Sequence, residues 1–196
     1  MRRSNLGRTA SRGRFRPVGR ALAATVPRFL PDAAAAALAL LAIAALGLGP
    51  TALTALYIAA VTPELIRVDL REHRLPHRMV LPGLLIGAVG CALQASWLPL
   101  VAGLAFGGFL LVLGVTGGIG MGDVKLATLL GLGSPTLAVA VASPLLAFLG
   151  GGIAALVVLI ARGPGARLPF GPALLGGYWV AVTLAGSMTG WAGVWP

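Results

Sequence analysis

Acidic residues are scarce in this sequence, which has five Asp and Glu residues among 196. It has one cysteine, Cys91, within an apolar run, so the chain alone forms neither a disulfide framework nor a four-cysteine zinc site. Charged residues make up 10% of the chain and hydrophobic residues 58%, which excludes an ordinary soluble globular domain. The composition therefore predicts an all-α, polytopic transmembrane helical bundle.

Residues 1–30 contain eight arginines and no acidic residue. They lack sustained apolar periodicity, which is typical of a disordered basic arm. Their two aromatic residues, Phe15 and Phe29, are too few for the regular alternation with charges seen in many nucleic-acid-binding segments, so we expect no nucleic-acid partner. The arm is predicted to lie at the cytoplasmic surface of the membrane.

The rest of the chain divides into apolar segments long enough to cross a bilayer. We predict about seven spans, a core of six within residues 51–188 preceded by one extra amino-terminal span. The transmembrane domain is expected to cover residues 31–188, followed by a short outer tail at 189–196. The predicted spans are 33–49, 51–66, 80–95, 100–116, 124–142, 144–161 and 170–188.

Positive charge is confined to alternate connections between these spans. With the arm in the cytoplasm, the connections that contain Lys or Arg are 67–79, 117–125 and 162–169. Those that contain none are 47–52, 94–99 and 141–144. This is the distribution that the positive-inside rule describes. It predicts a multi-pass protein of the cytoplasmic membrane, and it assigns Asp69 and Asp123 to the same, cytoplasmic face.

Two of the acids occur at the ends of apolar segments. Asp69 lies in RVDLREHRLPHRM, and Asp123 closes a G-x-G-D pattern in GGIGMGDVKL. A carboxylate beside a membrane span is energetically costly and calls for a function or a partner. Two facing carboxyls share one proton, so one of them accepts a proton from water while the other donates one. Taken singly, Asp69 could instead pair with an arginine, and Asp123 could cap a helix.

The glycines of the G-x-G-D pattern, Gly120 and Gly122, are predicted to let the backbone approach the acid closely. Lys125, the only lysine, is expected either to reach the lipid headgroups or to orient the acids or a substrate carbonyl. His73 and His77 are spaced as metal ligands could be, but Pro76 interrupts that spacing. We therefore predict no metal and no cofactor.

Three stretches together resemble the type IV prepilin peptidase family of membrane aspartic proteases. They are DLREHRLPHRM from Asp69, GMGDVKL from Gly120 and LPFGPALLGG from Leu168. The resemblance implies that Asp69 and Asp123 are the catalytic pair, and that Gly120, Gly122 and Lys125 support the site. It also implies that the substrates are prepilin or pseudopilin precursors, cut at the cytoplasmic face.

The sequence departs from the family pattern in two places. His77 follows the Leu-Pro pair where the family often has Asn or Asp. Larger members carry an amino-terminal region with paired cysteines and also methylate the new amino terminus, whereas residues 1–30 contain no cysteine. The resemblance is therefore to a short, peptidase-only form, and methylation is not expected.

A small transporter or proton-translocating component is the alternative function, with Asp69 and Asp123 carrying the ions. Transporters often contain paired repeats and place charges near the middle of the membrane. This chain has no internal repeat, and its acids lie at the ends of apolar segments. Peptidase activity is the favoured prediction.

Overall fold

A computed structural model describes residues 30–73, 75–116, 119–163 and 169–192. Those residues form helices and short connections and contain no strand, which confirms the predicted all-α fold. Residues 1–29 of the predicted arm and residues 193–196 of the predicted tail lie outside the described residues. The helices are α1 (Leu30–Leu46), α2 (Pro50–Glu72), α3 (His77–Gln94), α4 (Leu98–Val115), α5 (Met121–Leu132), α6 (Leu137–Arg162) and α7 (Gly171–Ala192).

Helix α2 continues beyond the end of its apolar segment. The polar residues 67–72, expected in a connection, form its last turns, so Asp69 lies within the helix. The sequence RVDLRE contains no glycine or proline, and a change from apolar to charged residues does not by itself end a helix. The chain reverses only at His73, which caps α2 with a left-handed φ of 52°.

The turn between α5 and α6 lies at residues 133–136, so the prediction of a break at 141–144 was wrong. Pro144 lies inside α6, since membrane helices tolerate proline where neighbouring groups satisfy the freed carbonyl. The true turn begins at Gly133, whose carbonyl oxygen accepts a 2.8 Å hydrogen bond from the buried Tyr178 hydroxyl. It ends at Thr136, whose side chain accepts a hydrogen bond from the backbone amide of Val139.

Helix α5 packs against α3, α4 and α7. Seven of its twelve residues are buried. It packs closely against α4 at Gly131 and Gly103. The two helices are so close there that a Cβ atom at Gly131 would collide with the Gly103 backbone. Helix packing through small residues is typical of membrane proteins. This packing anchors the helix whose first turn carries Asp123.

Three helices of the described chain are long and apolar enough to cross a membrane. They are α3, α4 and residues Leu137–Ala161 of α6, and α1 contains a shorter apolar stretch. Many apolar side chains face outward, including Leu85, Leu104 and Leu145 at 71%, 62% and 65% exposure, as expected where lipid replaces water. The protein is thus an all-α membrane bundle. The count of seven spans stays a prediction, since α5 is only about 18 Å long at 1.5 Å per residue.

Candidate active site

A cavity of about 230 Å³ lies where α2 ends and where α3 and α5 begin. It brings together the two acids that the sequence analysis singled out. Its walls are formed by Asp69, His73, Leu75, His77, Gly120, Met121, Gly122 and Asp123. The two carboxyls therefore share a single compartment although 54 residues separate them in the chain.

Asp69 is held by the start of α7. Its side chain is only 4% exposed, and its Oδ2 accepts a 3.0 Å hydrogen bond from the backbone N–H of Gly171, the first residue of that helix. A Cβ atom at Gly171 would lie 2.7 Å from Oδ2, so any larger residue here would displace the carboxylate. The partial positive charge of a helix amino terminus also stabilises a carboxylate. From the sequence, this segment was identified only as part of the family resemblance, and its contact with Asp69 was not predicted.

Asp123 is the third residue of α5 and is partly buried. Its backbone N–H donates to the Gly120 carbonyl oxygen at 3.0 Å, which fixes the first turn of the helix. Both glycines of the G-x-G-D pattern line the cavity. A Cβ atom at Gly122 would come within 3.0 Å of the Leu75 Cβ. Glycine at this position therefore lets the first turn of α5 pack directly against Leu75.

The two carboxyls interact electrostatically, at helix ends outside the membrane-capable segments. Burial, followed by the negative charge of Asp69, raises the pKa of Asp123 from 3.8 to about 6, although hydrogen bonding at Gly120 opposes the shift. Burial also raises the pKa of Asp69, whereas the Gly171 amide and the positive charge of His73 oppose that rise. Ionisation of both carboxyls is therefore disfavoured, as expected for two acids that share a proton.

Lys125 does not line the cavity. It is partly buried and follows Asp123 by two residues, so the two side chains leave α5 in directions about 200° apart. Of the predicted supporting residues, the two glycines border the cavity and the lysine lies on another side of the helix. Whether Lys125 supports the site stays a prediction.

Several cavity residues were not assigned to a catalytic compartment by sequence reasoning. His73 follows Asp69 by four residues, a spacing that puts both on one face of a helix, and this pattern could have indicated it. Leu75 and Met121 carry no chemical pattern that would single them out. The described residues contain no group of three or more His, Cys, Asp or Glu residues arranged to hold a metal ion.

Glu64, in the apolar segment of α2, forms an ion pair with an arginine of the same helix. Its carboxylate lies 3.1 Å from the guanidinium of Arg67, one turn later in the same helix. Glu72, at the end of α2, is exposed. Neither lines the cavity. Glu64 and Glu72 are therefore suitable controls for the two cavity acids.

Comparison with known protein families gives a match to the type IV leader peptidase family over residues 56–161, more than half of the chain. The chain belongs to this family. The matched region contains both cavity acids and stops before Gly171. No curated protein and no solved structure matched the chain. The family is one of membrane peptidases that process precursor proteins, and nothing in this comparison supports the transporter alternative.

Proposed function

We propose that this protein is a membrane aspartic endopeptidase that removes the leader peptide from type IV prepilin-like precursors, with Asp69 and Asp123 as its catalytic pair. The observation that carries the proposal is their shared cavity, in which burial and, after it, the charge of Asp69 raise the pKa of Asp123. Such coupling favours a pair with one ionised and one protonated member, the state that acid–base hydrolysis of a peptide bond requires.

The reaction follows from that state. The ionised carboxylate takes a proton from a water molecule while the water oxygen bonds to the scissile carbonyl carbon. The protonated carboxyl gives its proton to the carbonyl oxygen, which forms a tetrahedral diol. Proton transfer to the peptide nitrogen then lets the C–N bond break, and the products are a carboxylic acid and an amine. Each carboxyl acts once as base and once as acid, so the pair returns to its starting state.

The proposed substrates are prepilin or pseudopilin precursors, cut at the cytoplasmic face of the membrane. Support for the substrates comes from family membership and from the resemblance of the three sequence stretches. Support for the face comes from the positive charges near the cavity acids, on α2, α3 and α5, because the positive-inside rule predicts them on the same side as the basic arm. The proposal involves the lipid bilayer and no cofactor.

The test is co-expression with a prepilin, followed by a gel assay for loss of the leader. Asp69→Asn and Asp123→Asn each keep the size of the side chain but cannot exchange a proton. We expect each to lower cleavage by at least roughly 10²–10⁴-fold, the usual contribution of acid–base catalysis. Because the two residues act as a unit, the double variant should be no worse than either single one.

Glu72→Gln is the matched control, since it removes an exposed acid from the same helix as Asp69. It should retain near wild-type cleavage. Membrane fractions must contain equal amounts of every variant. A near wild-type rate with Asp69→Asn, at equal protein level, would refute the assignment of the pair.

A further inference from the structure

His73 lines the cavity but takes no part in the proposed reaction. Among the lining residues it is the one nearest to Asp69 in the chain. It ends α2 in a left-handed conformation, and its backbone N–H donates to the Asp69 carbonyl oxygen at 2.9 Å. A non-glycine residue with positive φ is uncommon and is often found at functional sites. His73 lines the cavity together with Leu75.

The surroundings of the two carboxyls are unequal. Asp69 receives a hydrogen bond from the Gly171 amide at the amino terminus of α7, and the positive charge of His73 acts on it as well. Both favour the ionised form of Asp69. Burial and, after it, the negative charge of Asp69 raise the pKa of Asp123, and only hydrogen bonding at Gly120 opposes them. This contrast favours the protonated form of Asp123.

Of the basic residues that the structure describes near the pair, His73 is the one whose charge acts on Asp69. The imidazole of His77 faces the cavity from α3, but the interactions of Asp69 and Asp123 include no contribution from it. Helix α7 contributes an amide and contains no charged residue between Gly171 and Ala192. The other charged residues that the structure describes on α2, α3 and α5 do not line the cavity: Glu64, Arg67, Arg71 and Glu72 on α2, Arg78 on α3 and Lys125 on α5.

We propose that His73 is a positioning residue that holds Asp69 in its ionised form, so that the proton shared by the two carboxyls resides on Asp123. This inference rests on the proposed function and deepens it by assigning the roles. Asp69 is the base that takes the first proton from water, and Asp123 is the acid that protonates the carbonyl oxygen. His73 acts through its charge on Asp69 and does not itself touch the reacting atoms.

The test uses the small number of aspartates in the chain, which are Asp32, Asp69 and Asp123. Protein labelled with ¹³C at the aspartate side-chain carboxyls gives three resonances, which Asp→Asn variants assign. In wild-type protein, the Asp69 carboxyl should titrate at lower pH than the Asp123 carboxyl. If the Asp123 resonance moves first as pH rises, the proposal is overturned. This measurement needs no substrate, so it is independent of whether a prepilin is cleaved.

The role of His73 is isolated in an Asp123→Asn background, where Asp69 titrates alone and coupling to the second acid is removed. His73→Asn is the informative change, because asparagine tolerates left-handed φ but carries no charge. We expect the Asp69 midpoint to rise by about 0.4–0.8 pH unit, the effect of a unit charge about 4–8 Å away in a water-like dielectric. His73→Lys, which keeps the positive charge, should prevent that rise.

His77→Asn is the matched control, since it removes an imidazole from the same cavity and should leave the Asp69 midpoint unchanged. Absence of a shift with His73→Asn, or an equal shift with His77→Asn, overturns the proposal. A rise that His73→Lys also produces overturns it too, because the cause would then be the backbone rather than the charge. Should His73→Asn not fold, His73→Gln provides a second neutral variant.

Cleavage assays then separate this inference from the proposed function. If wild-type protein cleaves a prepilin, His73→Asn should move the acid limb of the pH–rate profile upward by the same amount. If wild-type protein cleaves no prepilin while the titrations follow the stated order, the proposed function fails and the charge assignment stands. Cleavage by the wild type with an unmoved acid limb in His73→Asn contradicts the assigned role of His73.

Discussion

Asp69 and Asp123 are the same residue type in the same cavity, yet their neighbours give them different properties. One carboxyl receives an amide hydrogen bond from a helix amino terminus, and the other faces a negative charge. In water the two would be ionised together above about pH 4. In the bundle, the raised pKa of Asp123 keeps one proton on the pair up to about pH 6. Two consequences of that retained proton can be measured.

The first consequence is a loss of cleavage at alkaline pH. The proposed reaction needs one protonated carboxyl, and the pKa of Asp123 is raised to about 6 by burial and by the charge of Asp69. We therefore expect kcat/KM, which reports the free enzyme, to fall as pH rises above about 6, approaching tenfold per pH unit. The measurement is initial cleavage rate in detergent from pH 5 to 8.5. A flat profile between pH 6 and 8 would contradict the assignment of this carboxyl as the acid.

The second consequence is a cost in stability at neutral pH. Because the folded pKa of Asp123 is raised from 3.8 to about 6, folding favours its protonated form. The stability that folding gains from this bound proton is fully present below about pH 4 and is lost as pH rises through about 6. Asp123→Asn, which has no charge to bury, should therefore be more stable than wild type above pH 6, by up to about 3 kcal/mol.

Thermal unfolding of the two proteins in one detergent, at pH 4 and at pH 7.5, checks this expectation. The difference between them should be small at the lower pH and larger at the higher one. Glu72→Gln is the control, and its exposed position predicts no comparable gain. Equal melting temperatures for Asp123→Asn and wild type at pH 7.5 would mean that the buried carboxyl has no folding cost.

At the scale of the helices, residue patterns predicted the fold class well and the helix ends poorly. Hydropathy separates apolar from polar residues, and this boundary marks a membrane surface rather than the end of a helix. For that reason α2 extends to Glu72, beyond its predicted end at Ile66. The turn after α5 was misplaced because Pro144 looked like a break, whereas Gly133 and Thr136 supply the turn.

The residues of the site likewise divide into those that sequence patterns could identify and those that they could not. The acids and the flanking glycines, Gly120 and Gly122, carry recognisable patterns and could be named from the sequence. The amide of Gly171 could not be assigned to Asp69, because 102 residues separate the two and only the packing of α7 joins them. A backbone donor has no residue signature. Its contribution becomes visible only when two helix ends meet.

This contact between helix ends can be tested with two glycines of α7. A Cβ atom at Gly171 would lie 2.7 Å from the Asp69 carboxylate, whereas one at Gly176 would have no atom within 4 Å. We expect Gly171→Ala to displace the carboxylate and lower cleavage by roughly 10–100-fold, since a misplacement of about 1 Å costs that much. Gly176→Ala should keep wild-type cleavage. Cleavage assays at equal protein level decide, and full activity of Gly171→Ala would show that the contact is not needed.

At the scale of the whole molecule, the distribution of charge and the direction of the helices agree. The observed turn at 133–136 replaces the predicted one at 141–144 without changing the number of helices that precede it. Every Lys and Arg outside the arm still falls near the ends of α2 and α6, the starts of α3 and α5, or the connection before α7. The cavity acids belong to the same ends. The site and the positive charge are therefore expected on one side of the membrane.

Reporter fusions test this expectation. Alkaline phosphatase is active only outside the cytoplasm, and green fluorescent protein exported unfolded does not fluoresce. Fusions after residues 28, 74 and 165 should fluoresce and lack phosphatase activity, because positively charged connections stay in the cytoplasm. Fusions after Ser134 and at the carboxyl end should show the opposite pattern. The fusion after Ser134 is the discriminating one, since a turn at 141–144 would leave that residue inside a span. A fluorescent carboxyl-terminal fusion would mean that the number of spans is even, and the two acids could then no longer be assigned to the cytoplasmic face from charge alone.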